Sequence, residues 1–233
     1  MRFEEWDPIY REILEEFRFS RDEDEEAARL LKSLLSGRVG DLSMEDLDST
    51  IRGRRVLVCG NGPSLSRELE DAMRGRSRPE PAGGAQTGGL VVIAADGATT
   101  PLLAAGVIPD VIVTDLDGFI PDIIAANLMG SAVVVHAHGD NAAALKEYVP
   151  RLKRVLGTTQ SVPLEGIYNF GGFTDGDRAV FLARRFGAEV IRVIGFDYDD
   201  PAVTPKKRMK LAWAKRLVAM ALQDPSSPPI SDP

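Results

Sequence analysis

Three aspartates stand where chemistry is expected of them: Asp96, followed by Gly97, and the pair Asp115 and Asp117 in Thr114-Asp115-Leu116-Asp117-Gly118. Each group closes a short Val- and Ile-rich run that reads as a buried strand, and in an open parallel sheet ligands bind beyond the carboxyl ends of the strands. Residues two apart in an extended segment send their side chains to the same side. Asp115 and Asp117 are therefore expected to point together, with Asp96 beside them from the neighbouring strand end. Carboxylates gathered so closely repel one another unless a cation lies between them. Magnesium suits the set, being a hard ion that takes one or two carboxylates while keeping waters and substrate phosphates. One aspartate after a strand reads as a helix cap; three together point to a metal.

The first apolar run leads into Gly60-Asn61-Gly62-Pro63-Ser64-Leu65. Two glycines allow a tight turn with close backbone approach, and a helix opening at Pro63 or Ser64 would turn free amides toward a phosphate. The same residues suit any strand-to-helix turn, and both readings stand. The segment lacks the last glycine of the dinucleotide fingerprint, and no Gly-Lys-Ser or Gly-Lys-Thr follows, which disfavours a P-loop. Downstream, Thr204-Pro205 opens a helix that begins with Lys206, Lys207 and Lys210. Cations there oppose the macrodipole by ~0.3–1 kcal/mol each, so an anion is expected nearby: either Asp197, Asp199 and Asp200, or a triphosphate.

The two histidines of the chain lie in His136-Ala137-His138-Gly139-Asp140-Asn141. No third strong ligand stands at zinc spacing, so His138 and Asn141, with Gly97, are read as holding phosphate or supporting the magnesium. Asp140, or one of the metal-holding acids, is the candidate acceptor of a hydroxyl proton. Thr158, Thr159 and Gln160 follow the next run, and Asn169, Gly171, Gly172, Phe173, Asp175 and Asp177 come after them. The glycines permit close approach of a ligand, Phe170 and Phe173 offer faces to a flat heterocycle, and Asn, Gln or Asp can read its edge. Phe as core filler beside a capped helix fits the same residues.

Bringing these groups to one rim requires a parallel sheet, and the chain has the alternation for it. Apolar runs at 55–59, 90–94, 111–113, 132–136, 154–156 and 190–194 each precede a polar cluster and a helical stretch. That pattern predicts an α/β, doubly wound, mostly parallel sheet of Rossmann-like type. Ahead of it, residues 1–50 read as a helical prefix in which Trp6, Ile9, Tyr10, Ile13, Leu14 and Phe17 form one apolar stripe. Ser20 and Glu23 predict a capping box opening a second helix that is apolar through Leu30, Leu31, Leu34 and Leu35 and stops at Gly37. The stripe serves as core or as the contact of a homodimer, and no ligand chemistry is written in it. Residues 51–222 would form the catalytic domain and 223–233 a frayed, Pro-rich tail, while 75–89, crowded with Gly and Pro, reads as a mobile insertion.

Composition sets the outer bounds. The 233 residues are 44% hydrophobic and 27% charged, enough for a full core. A net charge of −7 argues against nucleic acid as a partner. Cys59, alone, makes neither an internal disulfide nor a thiolate cluster, and the acidic, aromatic N-terminus is unlike a secretory signal, so the expected setting is cytoplasmic. No apolar run reaches the ~18–20 residues that span a bilayer, and no membrane partner is expected.

Ala95-Asp96-Gly97-Ala98, Leu102, Gly106, Pro109-Asp110 and Thr114 to Gly118 resemble the thiamine pyrophosphokinase signature, in which an Asp-Gly pair and an Asp-x-Asp pair flank a magnesium-triphosphate site. With Gly60 to Leu65, His136 to Asn141, Asn169 to Asp177 and Lys206 to Leu211 added, the stretch from about Arg54 to Lys215 is more similar to the archaeal 6-hydroxymethyl-7,8-dihydropterin pyrophosphokinase family. No β-sandwich pattern follows the last helix, which counts against thiamine as acceptor. The resemblance implies a thiamine pyrophosphokinase-like catalytic fold with Mg2+ on Asp96, Asp115 and Asp117. It also implies ATP as donor and a reduced pterin as acceptor, with AMP released, in the making of a folate- or methanopterin-type cofactor. Gly60, Asn61, Gly62, Pro63, Ser64, Gly97, His138, Asn141 and the three lysines would then hold ATP, and the residues from Thr158 to Asp177 named above would hold the pterin. Related glycan- or motility-associated proteins share the Gly-x-Gly-Pro-Ser-Leu element, which keeps a noncatalytic nucleotide-binding module in view. Transfer to another alcohol, as in thiamine pyrophosphokinases, would use the same acids, and a nicotinamide dehydrogenase would use Asp96 for a ribose and need no metal.

Overall fold

The structure, a computed structural model, describes residues 1–74 and 89–223. Seven strands form one sheet: β1 (Arg55–Cys59), β2 (Leu90–Ala95), β3 (Val111–Thr114), β4 (Ala132–Ala137), β5 (Val155–Thr159), β6 (Ile167–Tyr168) and β7 (Val190–Ile194). Every neighbouring pair is parallel, in the order β6-β5-β4-β3-β2-β1-β7. From β1 to β6 the sheet grows in one direction, and β7 returns to the free side of β1. Parallel crossovers are right-handed, so a reversal of direction sends the returning helix to the opposite face. The six predicted strands are all present; β6 is too short to set a period.

Three helices precede the sheet: α1 (Phe3–Phe17), α2 (Arg21–Leu35) and α3 (Met44–Ile51). Between the strands run α4 (Leu65–Met73), α5 (Thr99–Ala104), α6 (Ile120–Leu128), α7 (Ala142–Tyr148) and α8 (Asp175–Arg185), and α9 (Pro205–Gln223) follows β7. One face of the sheet is covered by α4 to α7 with Ala27, Ala28 and Leu31 of α2. The other is covered by α8 and α9 together with Trp6, Tyr10 and Ile13 of α1 and Leu47 and Ile51 of α3. The stripe on α1 is thus spent as core within the chain.

Ser20 caps α2 by accepting from the Glu23 amide at 3.4 Å, which is one half of the expected box. A full box opens α3, where Ser43 and Asp46 exchange bonds of 3.1 and 2.9 Å. No helix among the described residues is long and apolar enough to cross a membrane. The expectations for the 75–89 insertion and the tail lie almost wholly outside the described residues.

Candidate active site

Because all strands run the same way, their carboxyl ends share one rim. Asp96, Asp115 and Asp117 each offer an oxygen there, all within 4.8 Å of one another. They converge by a different route from the extended alternation that the spacing predicts. β3 ends at Thr114, and Leu116 takes a left-handed φ of 67° that buries its side chain in the core. Thr114 sets the turn, its hydroxyl accepting from the Leu116 amide at 2.8 Å and donating to Asp96 Oδ1 at 2.6 Å. Asp96 is itself at φ 36°, a conformation that non-glycine residues hold at a cost and that recurs at functional sites. Gly118 is required beside it, since a Cβ there would lie 2.5 Å from Asp96 Oδ2.

Burial, a hydrogen bond shared with Asp117 and the charges of Asp115 and Asp117 push the Asp96 carboxyl up to about 8. Burial acts on Asp115 in the same sense, but His138, with Nε2 at 3.1 Å, and the nearby Arg178 charge outweigh it and hold Asp115 well below the usual carboxylate range. Asp115 Oδ1 is buried with no hydrogen-bond partner among the described residues. Asp175 is raised well above the ordinary range by burial and then by the Asp115 charge.

Arg178, which the sequence reading passed over, stands between these groups and is 7% exposed. Its Nη1 pairs with Asp175 Oδ1 at 3.0 Å and its Nη2 donates to Gln160 Oε1 at 3.2 Å, while its Nε is buried with no partner among the described residues. The available signal was an arginine three residues after an acid in the first turn of a helix at the ligand-binding end of the sheet. Lys210 approaches from α9, its Nζ 5.9 Å from the Phe173 ring centroid, with its pKa lowered by burial and then by Arg178. Lys206 lies over Phe19 at 5.4 Å.

Other expected ligand contacts are taken up by the protein itself. A Cβ on Gly60 or Gly62 would lie 2.6 or 2.7 Å from the Gly195 carbonyl, so these glycines admit the turn after β7. The Ser64 amide and hydroxyl both donate to Asp197 Oδ2, at 2.9 and 2.8 Å, which makes Asp197 the anion at the opening of α4. Asp199 pairs with Lys215 at 2.8 Å. Pro63 and Asn61 are exposed, and the Asn61 amide lies against Gly97. Asn141 pins its own loop, donating to the Asp115 and His136 carbonyls at 2.8 and 2.7 Å and accepting from the His138 amide at 3.1 Å. Asp140 is 87% exposed and bound to His138 Nδ1 at 2.7 Å, across the imidazole from Asp115, which lies on Nε2.

The expected heterocycle contacts are likewise engaged. Thr158 donates to the Val135 carbonyl at 3.1 Å, Thr159 accepts from the Ser161 amide at 3.2 Å, and Gln160 donates to Asp24 at 2.7 Å. Asn169 bridges the Ser161 carbonyl and the Gly171 amide at 2.8 and 2.9 Å. Asp177 caps α8 in a box with Thr174, and a Cβ on Gly172 would meet the Arg178 Cα at 2.8 Å. Phe170 and Phe173 are buried, the first stacked on Tyr168 at 5.9 Å and the second packed on Phe17 at 5.0 Å. Their expected stacking role gives way to core packing, because protein already covers the rings. His136 is fully buried, and burial drives its pKa well below the ordinary value. With Thr158, Phe170 and Arg178 it lines a cavity of ≈ 10 Å³, about the room of one water.

Comparison with known proteins bears on this rim. Residues 29–202 match a family model described as 6-hydroxymethylpterin diphosphokinase MptE-like. A protein of Methanothermobacter thermautotrophicus named 6-hydroxymethyl-7,8-dihydropterin pyrophosphokinase is 44% identical over 232 residues, covering 94% of each chain. Proteins of the same name from Pyrococcus furiosus and Methanocaldococcus jannaschii are 45% and 38% identical, each over 94% of this chain and 93% and 95% of their own. Among solved structures, the MAf glycosyltransferase from Magnetospirillum magneticum AMB-1 superposes with a TM-score of 0.54 at 18% identity, over 90% of this chain and 36% of that one, a likeness of fold alone.

Proposed function

The chain belongs to the 6-hydroxymethylpterin diphosphokinase MptE-like family, and from that premise we propose that it moves the terminal diphosphoryl group of ATP to the hydroxymethyl oxygen of 6-hydroxymethyl-7,8-dihydropterin. A bond forms between the alcohol oxygen and the β-phosphorus. The bond from that phosphorus to the oxygen shared with the α-phosphorus breaks, AMP leaves with that oxygen, and the alcohol proton is released. The observation that carries this reading is the meeting of Asp96, Asp115 and Asp117 within 4.8 Å at one rim, in a chain whose relatives bear that name.

The donor set fits Mg2+: Asp115 Oδ1 is buried without a partner among the described residues, and burial and the neighbouring acids hold Asp96 back from ionising, which a cation between them would relieve. Asp96, Asp115 and Asp117 would hold the ion, and charge neutralisation on the phosphates is the chemistry it supplies when bound. Phosphoryl transfer is otherwise a matter of positioning and electrostatics, and the chain offers both. His138 keeps Asp115 charged and oriented. Arg178 and Lys210 bring positive charge toward the acids, Lys206 and Lys207 stand at the exposed opening of α9, and Asn61 extends the phosphate side over Gly97. Gly60 and Gly62 shape that side, while Asp197 takes the Ser64 amide. Of the residues from Thr158 to Asp177, we assign the pterin edge to Asp175, which is held against Arg178 beside the acids.

The test is AMP release with hydroxymethyl-dihydropterin and thiamine as parallel acceptors. We expect release with the pterin alone, and a fall of at least ~100-fold in Asp117→Asn with an unchanged circular dichroism spectrum. Release with thiamine, with neither acceptor, or at the wild-type rate in Asp117→Asn with magnesium as the sole divalent ion would overturn the reading.

A further inference from the structure

Asp24, in the first turn of α2, is 3% exposed and far in sequence from every strand end. Three donors converge on it: the Tyr10 hydroxyl at 2.5 Å, Gln160 Nε2 at 2.7 Å and the Gly139 amide at 2.8 Å. A carboxylate removed from water is costly unless its lone pairs find such donors, and packing α1 on α2 needs no carboxylate. Two of the donors belong to segments that shape the acidic rim. Gly139 follows His138, whose Nε2 lies 3.1 Å from Asp115 Oδ2. Gln160 passes the contact onward, its Oε1 accepting from Arg178, which pairs with Asp175. Trp6 holds the same segment from α1, its indole donating to the Gln160 carbonyl at 2.7 Å.

We propose that Asp24 is a positioning residue for diphosphoryl transfer. From the helical prefix, one buried side chain fixes the His138 turn and the Gln160–Arg178 arm together, and through them the orientation of Asp115 and Asp175. The inference rests on the function proposed above and deepens it. Asp24 touches neither Asp115 nor Asp175 directly, so it acts through His138 and Arg178.

The test is Asp24→Asn, in which the amide nitrogen faces either the Gly139 amide or the Tyr10 hydroxyl and Gln160 Nε2 together, so one arm is lost whichever way it turns. We expect kcat to fall ~10- to 100-fold. The KM for ATP should stay within about threefold of wild type, because Asn61 and the α9 lysines are untouched, and exchange should quicken at the Gly139 amide or at the Gln160 side-chain amide, whichever bond is lost. Gly139→Ala combined with His138→Gln should lose no more than about threefold beyond His138→Gln alone, since both act on Asp115 through the same turn. Tyr10→Phe deletes the third donor and neither arm, and should lower Tm while leaving kcat within about twofold.

Should Asp24→Asn fail to fold, Gly139→Ala decides the matter. Its Cβ would meet the Glu23 Cβ at 2.8 Å and push the turn off α2, and it should share the loss in kcat. Wild-type kcat in Asp24→Asn, or in Gly139→Ala despite quickened Gly139 exchange, or losses of Gly139→Ala that multiply with His138→Gln, would overturn the proposal. Wild-type protein that releases no AMP with the pterin would instead overturn the function on which it rests, and amide exchange would still report whether Asp24 holds the turn.

Discussion

Asp96 is a carboxyl that the fold keeps from ionising. Burial, then Asp117 and Asp115, raise it to about 8, so the folded chain keeps a proton that the unfolded chain, at its ordinary 3.8, has released. Between those values the folded state binds more protons, and this group's contribution to stability falls as pH rises. Asp175, raised by burial and Asp115, has the same sign. His136, driven down by burial, has the opposite sign below its ordinary 6.5, where the unfolded chain takes up a proton that the folded chain refuses. From pH 6.5 to 8 the carboxyl effect therefore dominates, and the metal-free protein should lose Tm across that interval. Millimolar Mg2+ should restore more at the upper end than at the lower, by about 2–4 °C per kcal/mol gained in a chain of this size. A thermal-shift series at both pH values checks this, and an equal Mg2+ effect at the two would mean that the ion is held away from Asp96. The three acids were legible because each closes an apolar run and two stand two apart. Arg178 and Asp24 were not, because nothing local in α8 or α2 says which strand ends they will meet.

At the scale of elements, the turns matter more than the strands they join. α4 opens on Asp197 rather than on a residue of its own, with the Ser64 amide and hydroxyl both donating to that carboxylate. Glu68 of α4 returns the tie by accepting from the Gly195 amide at 2.8 Å. A charged cap at a helix N-terminus satisfies orphan amides and complements the dipole, so Asp197→Ala should cost about 1–2 kcal/mol in urea unfolding. Asp199→Ala should cost under about 0.5 kcal/mol, because its pair with Lys215 is exposed on both sides. Equal losses would deny Asp197 its capping role. Local pattern predicted six of the seven strands from their apolar runs, yet it missed this exchange because the partner comes from β7, which returns to β1 only in the folded sheet. It also missed β6, whose two residues show no period, and α3, whose Ser43 and Asp46 box was hidden in a stretch read as prefix. The aromatics after β6 were ambiguous for a related reason: Phe173 fits a ligand face or a core equally until Phe17 is seen against it.

At the scale of the molecule, the prefix and the sheet share their cores, which bears on whether residues 1–50 form a unit of their own. Trp6, Tyr10 and Ile13 lie in one cluster with Val56, Val91 and Val134 of the sheet, and Ala28 and Leu31 lie in the other with Leu57 and Val133. The far end of α1 is tied to α9, where the Trp213 indole donates to Glu16 at 2.8 Å and Arg216 pairs with Glu12 at 3.0 Å. We therefore expect a single cooperative unit. Trp6→Ala removes a side chain that is 1% exposed and should cost about 3–5 kcal/mol. It also leaves Trp213 as the one tryptophan of the two in the chain, a reporter placed on the contact between α9 and α1. If prefix and sheet unfold together, Trp213 fluorescence and far-ultraviolet circular dichroism will trace the same urea transition in this variant. A fluorescence change that runs ahead of the dichroism would mean that α1 leaves while the sheet stays folded. In that case Asp24 could lose its Tyr10 donor without unfolding of the sheet, and α1 would regulate the site rather than form part of it.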